Sequence, residues 1–148
     1  MTAITPLGQK SVRCYSHPPC NTIFLRETVF FRIKDKFKPL KGHSNHILAI
    51  SWSPDSKKIA SGCKSGQIRL WDPETGKQIG KTLVGHKQWI TGLAWEPLHK
   101  DGSARRFCSS SKDTNVIIWD SVTHQKLVTL SNHQSSVSCV IWGGQVNY

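Results

Sequence analysis

The sequence predicts an all-β fold made of repeated four-stranded antiparallel units, and three observations carry that expectation. Short runs rich in Ile, Val, Phe and Trp, such as Ile47-Leu48-Ala49-Ile50-Ser51-Trp52, read as strands. Turn chemistry separates them at short intervals, as in Ser53-Pro54-Asp55-Ser56 and Lys64-Ser65-Gly66. The pattern also recurs. Leu40-Lys41-Gly42-His43 leads to Arg69-Leu70-Trp71-Asp72, and Leu83-Val84-Gly85-His86 leads to Ile117-Ile118-Trp119-Asp120. Leu130-Ser131-Asn132-His133 starts it a third time.

Taken in order, residues 1–22 carry Pro6, Gly8, Pro18 and Pro19 among polar residues with no period, and are expected to be irregular or disordered. Residues 23–39 form a divergent strand segment. Its apolar runs Ile23-Phe24-Leu25 and Val29 to Ile33 are followed by Lys34, Lys36 and Lys38, and it is a candidate outer strand. Without a sheet of its own this segment would be an exposed edge, blunted by its lysines. Residues 40–148 hold the repeats, at about 40–83, 84–130 and a partial 131–148. In the first, strands are expected at Ile47–Trp52, Lys58–Cys63, Gln67–Asp72 and Gln78–Leu83. In the second they are expected at Ile90–Trp95, Phe107–Ser111, Val116–Asp120 and Gln125–Leu130, with a longer connection from Glu96 to Arg106. Four strands joined by tight turns make a meander. The third repeat offers only Val137–Trp142.

Composition narrows the function classes. Twenty basic residues against 9 acidic give a net charge of +11, which suits either a polyanionic partner such as RNA or a solvated basic surface. Five cysteines without framework spacing argue against a disulfide scaffold, and Cys63, Cys108 and Cys139 fall within expected strands as small apolar residues. Cys14, His17 and Cys20 have no matching second pair, so no zinc site is expected. No apolar run approaches the roughly 20 residues that span a bilayer, so no membrane is expected and the chain reads as intracellular. No Gly-x-Ser-x-Gly, His-Glu-x-x-His or phosphate-loop pattern occurs, so neither a catalytic residue nor a cofactor is assigned.

The Gly-His to Trp-Asp repeat, at about 40–45 residues, resembles the blade of the WD40 β-propeller. That resemblance implies two complete blades plus a partial third, in an open arc rather than a closed ring, because a ring needs about four blades or more. It implies a fragment or truncated isoform, with self-association through open blade faces. It also implies a structural tetrad in each blade: His86, Ser109, Asp113 and Trp119 in the second, and His43, Ser61 and Trp71 in the first. There Ser65 stands where Asp is expected. Losing such a charge-assisted bond is worth about 1.5–3 kcal/mol. The family rule that partners meet the narrow face singles out His46, Lys64, Trp89 and Lys112. For Trp89 a packed position on the rim between blades is the alternative to a recognition anchor.

The runs Ser61 to Ile68, Trp71-Asp72-Pro73, Gly76-Lys77-Gln78, Trp89 to Leu93, Trp95 to His99, Ser110 to Asp113 and Trp142-Gly143-Gly144 are similar to the Notchless family. The resemblance covers about Leu40 to Gly144. It implies a non-catalytic scaffold of large ribosomal subunit assembly, in the nucleus and nucleolus. Such a scaffold docks on pre-ribosomal particles, with protein and rRNA as partners. In that family a ubiquitin-like domain engages the AAA ATPase Midasin. Residues 1–39 do not resemble that domain, so no Midasin contact is expected. Alternative expectations are a general interaction module in a signalling complex, Notch signalling included, or a non-functional truncated product.

Overall fold

The computed structural model describes residues 2–4, 10–13, 22–29, 32–34, 39–98 and 104–143. Among these every regular element is a strand. β1 (Thr2–Ile4), β2 (Lys10–Arg13), β3 (Thr22–Val29) and β4 (Arg32–Lys34) form one antiparallel sheet in sequence order, and β5 (Leu40–Lys41) pairs with β3. Two four-stranded meanders follow. Blade 1 contains β6 (Ile47–Trp52), β7 (Ile59–Cys63), β8 (Ile68–Trp71) and β9 (Gln78–Leu83). Blade 2 contains β10 (Ile90–Trp95), β11 (Arg106–Ser111), β12 (Val116–Asp120) and β13 (Gln125–Leu130). The sheets do not close on one another, so the fold is an open arc of propeller blades.

Each blade repeats the same local solutions. The ladder of β6 on β7 shifts register between Ile47 and Ala49, and that of β10 on β11 shifts between Ile90 and Gly92. These bulges sit at equivalent positions and add twist to the innermost strand of each blade. The β7–β8 turn places Gly66 at φ 79°, and its counterpart in blade 2 is Thr114 at φ 69°. Glycine enters that left-handed region freely, whereas a β-branched residue is strained there.

The larger core lies between the blades. Ala49, Ala60, Ile68, Leu70 and Leu83 of blade 1 pack with Ile90, Trp95, Phe107, Ile117 and Trp119 of blade 2. Contact is close enough that Gly62 leaves no room for a side chain, since a Cβ there would sit 2.3 Å from Cγ2 of Ile90. Two side-chain bonds span the same joint. The Trp95 indole N–H donates to the Ser51 carbonyl at 3.3 Å, and Lys58 Nζ donates to Ser121 Oγ at 3.0 Å.

A second core covers the other face of blade 1. Ile23 and Leu40, both fully buried, pack with Ile47, Ile50, Trp52, Ile59 and Trp71. This corrects three expectations. The segment 1–22, expected to be irregular, contributes β1 and β2, and β3 begins at Thr22. Within segment 23–39 the strand β3 is not without a sheet, because it has β2, β4 and β5 as neighbours, and β1 lies against β6. The boundary at residue 40 is also crossed, since β5 opens the first repeat while pairing with Thr22 and Ile23. Strands of three or four residues gain their order from pairing with neighbours, which their own composition does not reveal.

The third repeat differs in the opposite sense. Val137–Trp142, expected to be a strand, joins no ladder among the described residues, and Cys139 lies exposed there. A strand needs a neighbour to satisfy its backbone. Bonds to blade 2 run from Val137 N to the Ser111 carbonyl at 3.1 Å and from Thr91 Oγ1 to the Val137 carbonyl at 2.5 Å. Beside it β13 is exposed along its whole length, with Leu127, Val128 and Leu130 facing solvent.

Two substitutions test this packing by urea denaturation. Gly62→Ala should lower stability by about 1–3 kcal/mol, because the fully buried Ile90 meets it through a Cβ branch that cannot swing aside. Thr114→Gly should raise stability by about 1 kcal/mol through relief of its left-handed backbone.

Candidate interaction face

The turns at one end of the blades converge on Trp89. Lys112 N donates to the Trp89 carbonyl at 3.0 Å, and Ser111 Oγ donates to the Gln88 carbonyl at 3.2 Å. From blade 1 the β7–β8 turn closes in so tightly that a Cβ on Gly66 would lie 2.6 Å from the His86 carbonyl oxygen. Backbone contacts thus fix the platform, and the side chains follow. Nζ of Lys64 lies 4.4 Å from the Trp89 ring centroid and Nζ of Lys112 lies 4.2 Å from it. Both distances are within cation–π range. Trp89 remains 37% exposed, so the ring is held without being buried.

The structure therefore brings together Lys64, Trp89 and Lys112, one from blade 1 and two from blade 2. His46 stands apart from the ring. It is exposed, its Nδ1 faces Asn45 Oδ1 at 3.2 Å, and its carbonyl accepts from Lys64 N at 2.8 Å. Its link to the cluster is through backbone. Lys87, also exposed, adds a further positive charge at this end. The nearby Asp113 is engaged from beneath, so the surface is predominantly basic.

Under this face lie the two hydrogen-bond networks. In blade 2 the Trp119 indole N–H donates to Ser109 Oγ at 2.8 Å, and Ser109 Oγ meets His86 Nε2 at 2.8 Å. His86 Nδ1 then lies 2.9 Å from Asp113 Oδ2. A carboxylate only accepts, so Nδ1 carries a proton; with His86 neutral, Nε2 accepts from the serine hydroxyl. Asp113 also accepts from Lys87 N at 2.8 Å and from Asn115 N at 3.0 Å. Burial opposes its charge, but the Lys87 amide, His86 and the Asn115 amide outweigh that, and its carboxyl is held below the usual range.

Blade 1 repeats the buried half of this network. Trp71 Nε1 donates to Ser61 Oγ at 2.7 Å, and His43 Nε2 lies 2.6 Å from the same oxygen. The outer half is missing. Ser65 occupies the aspartate position and turns instead to Cys63 Sγ at 3.0 Å, and His43 Nδ1 is buried with no hydrogen-bond partner among the described residues. Burial, then the nearby Arg69 cation, lower the His43 pKa to about 4.

Further residues of the repeat have roles that the sequence pattern does not show. The Asp of each Trp-Asp pair caps the next turn. Asp72 accepts from Glu74 N at 2.8 Å and Thr75 Oγ1 at 2.8 Å, and Asp120 accepts from Val122 N at 2.8 Å and from Arg105 Nε at 2.9 Å. Among the described residues no cluster of His, Cys, Asp and Glu could hold a metal, and no helix is long and apolar enough to cross a membrane. Cys14, His17, Cys20 and His99 lie outside the described residues.

Comparison with known proteins adds to this geometry. The family described as WD domain, G-beta repeat matches residues 34–72 and 77–120. Protein Notchless of Drosophila melanogaster is 48% identical, over 71% of this chain and 30% of the relative. The Notchless protein homolog of Arabidopsis thaliana is 49% identical, over 83% of this chain and 36% of its own length. Ribosome assembly protein 4 of Saccharomyces cerevisiae is 54% identical, over 68% of this chain and 20% of the relative. The similarity to Notchless expected from the sequence is thus found, and the chain spans about a third or less of the relatives it matches.

The His43 environment makes a pH prediction. The unfolded imidazole takes up its proton near pH 6.5 and the folded one only near pH 4, so the unfolded chain binds more protons between these values. The stability that His43 contributes should be complete above pH 6.5 and decline toward pH 4, by up to about 1.4 kcal/mol per unit. NMR titration of the His43 ring should give a midpoint near 4; a midpoint at the ordinary value would refute its burial as a neutral ring.

Proposed function

Because this chain belongs to the WD40-repeat family, we propose that it is a non-catalytic scaffold of ribosome assembly, docking on precursors of the large subunit in the nucleus and nucleolus. The assembly role rests on the name of the yeast relative and on similarity to the Notchless proteins. The observation that carries the docking surface is the Lys64–Trp89–Lys112 cluster. Two ammonium groups are preorganised over an accessible indole, on turns that backbone bonds hold in place. Preorganisation lowers the ordering cost of association, and exposed Trp among cations is a common anchor. The partner surface is a particle rich in RNA and protein, for which a chain of net charge +11 is electrostatically suited.

His46 is the edge of this surface and the other three residues its centre. Binding of this kind weakens steeply with salt, through release of counterions from phosphate.

The reading is tested by sedimenting the full chain with nuclear extract at low salt. It should travel with large-subunit precursors and leave them as salt is raised. Lys64→Glu combined with Lys112→Glu should weaken the association by about tenfold or more, because both charges then repel the particle. Trp89→Ala should weaken it without altering the salt slope. Absence of the wild-type chain from precursor fractions at low salt would sink the proposal.

A further inference from the structure

Ser65 stands at a break in an otherwise repeated network. In blade 2 the equivalent Asp113 joins His86 Nδ1, at 2.9 Å, to the Lys87 amide, at 2.8 Å. In blade 1 the histidine is equally buried, with His43 at 2% exposure and His86 at 5%, and the Ser–Trp half of the network is intact. What is missing is an anion, and His43 Nδ1 is left without a partner among the described residues. Ser65 itself is exposed at the tip of its turn, its hydroxyl 3.0 Å from Cys63 Sγ. Lys64 precedes it, and the Ser44 amide follows His43 as the Lys87 amide follows His86.

We propose that Ser65 is a phosphorylation site, and that its phosphate takes the place Asp113 holds in blade 2, accepting from His43 Nδ1 and the Ser44 amide. A phosphoserine oxygen reaches one bond farther than an aspartate oxygen, and rotation about the Cα–Cβ bond of an exposed serine frees it from Cys63. The phosphoryl donor is a nucleoside triphosphate used by a protein kinase. The Ser65 Oγ–P bond forms as the bond from the bridging oxygen to the γ-phosphorus breaks. Nucleoside diphosphate leaves with that electron pair, and the hydroxyl proton passes to the kinase's base. The added charge is about −1.5 to −2 at neutral pH, enough to form charge-assisted bonds.

The test has two parts. The full chain produced in eukaryotic cells is mapped for phosphate by mass spectrometry, and a chain carrying phosphoserine at position 65 is compared with unmodified, Ser65→Asp and Ser65→Ala chains. Phosphate is expected on Ser65. In the phosphorylated chain the His43 ring should titrate above its unmodified midpoint near 4, its Nδ1 proton should exchange slowly, and the melting temperature should rise by a few degrees. Ser65→Asp should move the same readouts in the same direction, and Ser65→Ala should match the unmodified chain. Phosphate absent from Ser65 in cells, or a His43 titration and exchange rate unchanged by it, would overturn the proposal.

Discussion

A buried indole N–H that must find an acceptor is the constraint on which each blade depends. Trp71 and Trp119 are each 2% exposed, and leaving either N–H unpaired in that setting would cost about 1–3 kcal/mol. Ser61 and Ser109 supply the acceptors only because of register. Trp71 pairs with Ile59 and Ser61 with Arg69, which makes serine and indole diagonal neighbours on one face of the sheet. The same relation holds where Trp119 pairs with Phe107 and Ser109 with Ile117. A slip of one residue would turn each serine to the opposite face. The Gly-His step follows from this arrangement too. A Cβ at Gly85 would lie 2.8 Å from the Trp119 ring and one at Gly42 would lie 3.1 Å from the Trp71 ring, so glycine lets the chain pass closely over the tryptophan and deliver the histidine to the serine.

Between blades the governing force is apolar burial, with polar bonds setting alignment. The shared core removes Ile90, Phe107 and Ile117 from water, and each such side chain is worth about 1.5–3 kcal/mol when fully buried. Blade 1 is sheltered on both faces, by blade 2 and by the β3–β5 pair. Among the described residues, blade 2 has the 131–143 segment against its other side, and Ile141 there is 86% exposed. The two blades thus carry complementary deficits. Blade 1 is well covered but lacks its carboxylate, whereas blade 2 has a full network and an open flank.

The strands of both blades were legible in the sequence because short runs rich in Ile, Val, Phe and Trp lie between marked turns. Their expected ends agree with the structure to within about one residue. The residues of the blade 2 network were implied by the resemblance to the WD40 blade, against which Ser65 showed as a departure. The N-terminal sheet was not legible. Thr2–Ile4 and Lys10–Arg13 are too short to show a period, and they pair with each other and with β3. Val137–Trp142 has the composition of a strand but joins no ladder among the described residues, and composition does not report pairing. At the interaction face the sequence supplied the residue types. The approach of Lys64 and Lys112 to one ring depends on two turns in different blades, and so on the joint between sheets. Asp72 and Asp120 recur in the Trp-Asp pairs, but that pattern does not show that they cap turns, and no side-chain pattern marks the Lys87 amide.

The connection between β10 and β11 is closed at its base by several bonds. Arg106 pairs with Glu96 through both carboxylate oxygens, Glu96 N donates to the Arg106 carbonyl, and Ser121 holds the carbonyls of Ala104 and Arg105. With its ends clamped on buried sheet, the length of this connection is uncoupled from blade geometry. Added sequence there raises closure entropy only slowly, by about 0.6 kcal/mol for each doubling. It is the point at which a chain of this kind can gain or shed sequence between generations, or display a grafted peptide, while the tryptophans beneath keep their register.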